Sequence, residues 1–217
     1  NFRQRLREWC WDKKDKQGTQ RADWEVSQSF VPLLKWILAL WSPDEQKLVL
    51  AMDATSLKQL FVVLSISVVY RGCAIPIAWT ILREGQKGSW KEPWLKLFKG
   101  LQGSTPADWL VIVAADRGLY ARWLYEAIQG CGWHPLLRIN LRSKYRPKGD
   151  ADFRPMSQLL PCPGSVWAGK VTCFAVNSVE GSLLACWGTN HLEPWILLTD
   201  LPPENASAAW YGMRSWI

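Results

Sequence analysis

An α/β fold built on a mixed five-stranded sheet is what this sequence predicts, and three observations predict it. Three apolar runs joined by short polar connections come first, at residues 48–54 (LVLAMDA), 61–70 (FVVLSISVVY) and 73–82 (CAIPIAWTIL). Two more apolar runs, 109–115 and 134–139, are separated by stretches of helical spacing. The first and fourth of these five runs both end at an aspartate, Asp53 and Asp116.

Each element has its own local reason. Residues 2–16 are basic and polar, with Arg3, Arg5, Arg7, Lys13, Lys14 and Lys16, and read either as a solvated helix face or as a DNA contact. Ser27 and Ser29 are candidate caps for a helix that follows, with Pro32 near its start, where a missing N–H costs little. The run 61–70 is β-branched and aromatic, as strands prefer. Arg71-Gly72 makes a short turn into the third run, whose Pro76 requires an edge position or a bulge. Ser89 with Glu92 three residues later forms a capping box, and Trp94, Leu95, Leu97, Phe98 and Leu101 continue at helical spacing. The continuous run 109–115 (WLVIVAA) is the pattern of a strand buried on both faces. Residues 120–131 form a helix ending at Gly130 and Gly132, and 134–139 (HPLLRI) form the fifth strand.

The order is therefore β-β-β-α-β-α-β: three hairpin-linked strands, then crossovers that demand parallel pairing. With helices on both faces, this is the RNase H-like arrangement. Residues 141–163 are polar and proline-rich and read as loop. The runs 166–174, 183–187 and 195–201 read as strands of a β-rich insertion packed beside the sheet, the first two pairing antiparallel. A last helix starts near Ser207 and reaches Ile217 without a glycine cap. The expected organisation is a helical basic segment at 1–46, the core at 47–143, the insertion at 144–201 and the start of a last core helix at 202–217.

Composition narrows the function classes. Hydrophobic residues make up 48% and charged residues 21%, enough for a packed core and against disorder. Twenty-six Lys and Arg against 19 Asp and Glu give a formal +7, which favours a polyanionic partner such as nucleic acid or an anionic membrane surface. Sixteen tryptophans serve either core packing or base stacking. The six cysteines contain no C-x-x-C pair, which argues against zinc. Their spacing does not suit a disulfide scaffold and fits a reduced, cytoplasmic setting. The most apolar N-terminal stretch, 30–41, is interrupted by Pro32 and Lys35 and falls short of the ~20 residues a bilayer demands, so no membrane partner is expected.

Asp53 and Asp116 end the two strands expected side by side at the sheet centre, where open α/β sheets place their sites. Two carboxylates that close repel unless a cation joins them. Oxygen ligands without His or Cys favour Mg²⁺ or Mn²⁺. Two such ions, ~3.5–4 Å apart, activate a nucleophile and stabilise the leaving oxygen of a phosphodiester. His134 and His191 are isolated and read as structural.

Asp53 in A-M-D-A-T-S, the strand pair after it, Asp116 in A-A-D-R-G and Tyr211-Gly212-Met213-Arg214 together resemble the DDE transposases of bacterial insertion sequences that carry the signature Y-x2-R-x3-E-x6-K. The resemblance spans nearly everything from Leu48 to Ile217. It implies that Asp53 ligates both metals and Asp116 one, and that Tyr211 and Arg214 hold DNA phosphates beside the scissile bond. The next position, 218, would carry the catalytic glutamate, so the chain as it stands is expected to be poorly active or inactive. Positions 211, 214 and 218 share one helix face. Arg117, Arg122 and the basic loop Lys144, Arg146 and Lys148 are further candidates for phosphate contact. The expected partner is DNA, as transposon ends and target, with a homodimer left open. Two other readings stand beside the enzyme: a non-catalytic remnant that binds DNA or dimerises, and a stand-alone nuclease of the same fold.

Overall fold

The computed structural model describes residues 3, 11, 13–16, 25–42, 44–85 and 90–216. Most of the basic stretch 2–16, Ser89 of the expected capping box and Ile217 lie outside the described residues.

The first strand, β1 (Lys47–Leu57), runs past Asp53 rather than ending there, because it continues to pair antiparallel with β2 (Phe61–Tyr70) as far as Leu57 opposite Phe61. The hairpin turns on Lys58 and Gln59, both at positive φ. The next hairpin, into β3 (Cys73–Arg83), turns on Arg71 (φ 46°) and Gly72 (φ 84°), a pair of left-handed residues matching the twist of the strands. Pro76 is accommodated in both expected ways: β3 is an edge strand, and its register against β2 shifts between Ile66 and Ser67. β4 (Leu110–Ala115) and β5 (His134–Arg138) then pair in parallel, β4 with β1 and β5 with β4.

The sheet does not stop at five strands. β6 (Lys144–Pro147), β7 (Arg154–Pro155), β8 (Val166–Cys173), β9 (Val179–Cys186) and β10 (Trp195–Thr199) join it, giving ten strands in the order β3-β2-β1-β4-β5-β10-β9-β8-β6-β7. Residues 144–201 therefore extend the sheet edge instead of packing beside it. β10 makes the join, pairing antiparallel with β5 (Leu197 opposite Arg138) and with β9. β8 and β9 pair antiparallel as expected. The stretch read as loop at 141–163 holds two short strands, since β6 finds β8 as a partner despite its charge and its proline.

Helices α1 (Phe30–Ala39), α2 (Lys91–Leu101) and α3 (Arg122–Gly130) cover one face, contributing Leu34, Trp94, Phe98 and Leu124 to a large apolar cluster. α1 is preceded by a 3₁₀ turn at Val26–Ser29, and neither expected serine caps it: Ser29 makes no side-chain cap bond and the Ser27 hydroxyl donates to Glu25. Trp90 occupies the N-cap of α2, also without a side-chain cap. The other face carries a smaller cluster under α4 (Ala208–Gly212), which continues as a 3₁₀ turn, Met213–Trp216. Ser207, where the last helix is expected to start, caps α4 by accepting a bond from the Ala209 N–H at 3.2 Å. Among the described residues no helix is long and apolar enough to cross a membrane, and five of the cysteines are free thiols.

Candidate active site

Alternation along two strands assembles the site. Leu48, Leu50 and Met52 point to the large cluster, while Val49 and Ala51 point to the small one. Asp53 is next in the second series. On β4, Ile112 and Ala114 face the small cluster and Asp116 follows. The β1–β4 register pairs Ala51 with Ala114. Two residues further on, the same register brings Asp53 beside Asp116 on adjacent parallel strands, on one face.

The terminal helix closes over this pair. Ala51 and Ala114 leave a shallow floor, on which Tyr211 sits buried with its ring edge-on to Trp195, 5.1 Å between centroids. The Tyr211 hydroxyl donates to Asp116 Oδ1 at 2.9 Å. One turn on, Arg214 reaches between the carboxylates. Its Nη2 lies 3.6 Å from Asp53 Oδ1 and donates to the Met52 carbonyl at 2.8 Å, and its Nη1 lies 4.0 Å from Asp116 Oδ2. Among the described residues the buried Nε of Arg214 has no partner. Met213 packs on the small cluster, away from the acids. The Thr55 hydroxyl donates to Asp53 Oδ2, and the Arg117 N–H donates to Asp116 Oδ1 at 2.7 Å.

These contacts act on the acidity of Asp116 and Tyr211. Burial raises the pKa of Asp116. The Arg117 N–H, the Tyr211 hydroxyl and the guanidiniums of Arg214 and Arg138 outweigh it, so the carboxyl titrates below the ordinary range. Burial first, and then the Asp116 charge, push the Tyr211 phenol upward, which keeps it a donor.

The remaining sequence candidates scatter. Arg117 is at the site's edge, ion-paired with Glu193. Arg122 lies on the first turn of α3 and pairs with Glu126 at 2.7 Å, with no contact to either aspartate. Lys144 and Arg146 are on β6 and Lys148 just beyond it, five strand spacings from β4. At ~4.8 Å per spacing that is on the order of 24 Å away. Arg146 and Lys148 line a separate cleft with Lys170, balanced there by Asp150, Glu180 and Asp200. His134 bonds Asp200 at 3.1 Å and His191 packs on Trp195.

Sequence reasoning missed Arg138 and Glu193. Arg138 ends β5, and one residue beyond the Ala115–Leu137 register it falls beside Asp116. Its Nη1 is 3.6 Å from Asp116 Oδ1 and its Nη2 is 3.7 Å from Glu193 Oε2. The signal was present in HPLLRI, a charge closing an apolar run as Asp53 and Asp116 do. Oxygen-only donors on adjacent strands fit a hard divalent cation. Among the described residues no third His, Cys, Asp or Glu joins them as a ligand group.

No protein-family model matches the chain, and no curated protein matches it. Among solved structures, the Mos1 transposase catalytic domain, in a structure with raltegravir and Mn, is similar over 51% of this chain at 14% identity and a TM-score of 0.29. The match spans 58% of that domain's length. Ciona intestinalis endonuclease V, in complex with an inosine-containing DNA, is similar over 85% of this chain and 86% of its own, at 10% identity and a TM-score of 0.44. Human endonuclease V is similar over 94% and 84%, at 11% identity and a TM-score of 0.39.

Proposed function

We propose that this chain forms an RNase H-like catalytic core of a DDE-type transposase, acting in metal-dependent cleavage and transfer of DNA strands at insertion-sequence ends. The observation that carries the reading is the in-register pair Asp53 and Asp116 with Tyr211 and Arg214 closed over it. Asp53 and Asp116 are the residues that would hold Mg²⁺ or Mn²⁺. When bound, such ions activate the attacking oxygen and stabilise the leaving one.

The chain's own residues do the rest. The Thr55 hydroxyl orients the Asp53 carboxylate, and the Arg117 N–H orients that of Asp116. Tyr211 and Arg214 are donors aimed into the cleft, and with DNA present they turn from the carboxylates to the non-bridging oxygens of the phosphodiester. The bond from Arg214 to the Met52 carbonyl anchors the guanidinium during that exchange. A second reading, a DNA-binding chain that does not cut, is favoured by one observation: Arg214 already neutralises both acids.

Manganese binding and plasmid nicking separate the two. Asp53→Asn and Asp116→Asn should each weaken Mn²⁺ binding by about 10- to 100-fold or more, the loss that even outer-shell changes cause. The chain with a glutamate added after Ile217 should nick DNA in Mn²⁺, and either substitution should abolish that. Unchanged Mn²⁺ affinity in both variants refutes the metal site. Intact Mn²⁺ binding with no nicking by the extended chain leaves the non-cutting reading.

A further inference from the structure

Beside Asp116, on the side away from Asp53, a cleft of about 360 Å³ is lined by Arg117, Arg138, Asn140, Arg142 and Glu193. Three arginines line it with one carboxylate among them, and Glu193 pairs with two of the three, Arg117 and Arg138. Arg138 is the most fixed of them, its side chain 17% exposed at the end of β5. The backbone beyond it is pinned where the Ile139 N–H bonds the Ile196 carbonyl at 2.8 Å. The turn carrying Arg142 is closed by two bonds to Asn140: the Arg142 N–H to its side-chain oxygen and the Ser143 N–H to its carbonyl, both at 3.0 Å. Glu193 reaches in from the connection between β9 and β10 and takes both Arg117 and Arg138.

We infer that this cleft is a phosphate subsite for a nucleic-acid strand, with Glu193 as the internal anion that a backbone phosphate displaces. Planar guanidiniums on a rigid floor are suited to a tetrahedral oxyanion, which accepts bidentate bonds from several of them at once. A carboxylate supplies two oxygens and one charge, so Glu193 satisfies Arg117 and Arg138 and leaves Arg142 facing the opening. Two residues of the cleft, Arg117 and Arg138, also contact Asp116, through the Arg117 N–H at 2.7 Å and Arg138 Nη1 at 3.6 Å. A strand phosphate seated in it therefore places a neighbouring phosphodiester near Asp116, a position a free phosphate has no reason to need. The inference rests on the proposed reading for its partner, DNA, but not on metal or cleavage.

The test is made without metal, in EDTA, on the whole chain. Binding of a short fluorescent single-stranded oligonucleotide is measured across a salt series. Glu193→Gln should tighten binding roughly 3- to 10-fold, because it removes the competing charge. Arg142→Ala should weaken it by a similar factor and flatten the salt slope by about 0.7, one phosphate contact on a single strand. Asp44→Asn makes the same charge change before β1, at the opposite end of the strand from the site, and should alter affinity by less than about two-fold. If Glu193→Gln behaves as Asp44→Asn does, or the Arg142→Ala slope equals that of the parent, the subsite is refuted. Inorganic phosphate added at constant ionic strength should displace little oligonucleotide. Full displacement would reassign the cleft to free phosphate and overturn the strand assignment. Binding shifts as expected, together with no nicking in Mn²⁺ by the chain extended with a glutamate after Ile217, would sink the cleavage reading and leave the subsite standing.

Discussion

The two faces of the sheet centre are made by the same strands and do different work. One face of β1 and β4 presents Leu48, Leu50, Met52, Val111 and Val113 to three helices. The other presents Val49, Ala51, Ile112 and Ala114 to one short helix, then two acids. On the first face large side chains fill the space between layers. On the second, alanines draw α4 close enough for Tyr211 and Arg214 to touch carboxylates. The difference teaches that the site is placed by side-chain size as much as by charge: the alanine two positions before each aspartate, Ala51 or Ala114, sets the depth at which a donor arrives.

Substitutions should separate the faces. Leu50→Ala, at a fully buried position on the large face, should cost about 2–5 kcal/mol in urea unfolding while leaving the site's geometry intact. A cost under about 1 kcal/mol would mean that this face is not the main core. Ala114→Leu on the small face should cost about 1–3 kcal/mol by overpacking. Unlike Leu50→Ala, it should also tighten Mn²⁺ binding, because lifting α4 withdraws the Arg214 guanidinium that an arriving cation has to displace. Equal metal affinity in the two variants would break the comparison. Ser207→Ala removes the α4 cap and should cost about 1 kcal/mol, read as a lower midpoint with unchanged slope.

The smallest effect is in pH. The folded Asp116 titrates below its unfolded value of about 3.9. Its contribution is therefore present above about pH 4 and fades as pH falls through the lower folded value. In EDTA, acid unfolding of the parent should be steeper below about pH 4 than that of Asp116→Asn. Parallel curves would show that the surrounding donors do not act on this group.

Much of the central architecture could be read from the chain, because local chemistry and topology agree there. The Arg71-Gly72 turn, Pro76 on an edge with a bulge, and the acids after two apolar runs each have a local cause. The ten-stranded sheet could not be read in this way. A run such as WILLT at 195–199 announces a strand but not its partner, and β10 pairs with β5, some sixty residues earlier in the chain. Lys144 and Arg146 read as a basic loop because charge and Pro147 suggest one. Pairing with β8 overrode that preference. Arg138 was hidden for a related reason: its role comes from lying beside Asp116 in register, and register is a property of two strands together.

The position of Arg214 has one further consequence. With its guanidinium lodged between Asp53 and Asp116, Arg214 keeps the two carboxylates from standing bare side by side. A divalent cation arriving there meets an occupied seat. Loading becomes an exchange of one cation for another, and the displaced guanidinium is freed in the same event, next to where a phosphate would lie. Ion and strand would then favour each other's arrival, each taking one half of the pairing that Arg214 makes with the two acids.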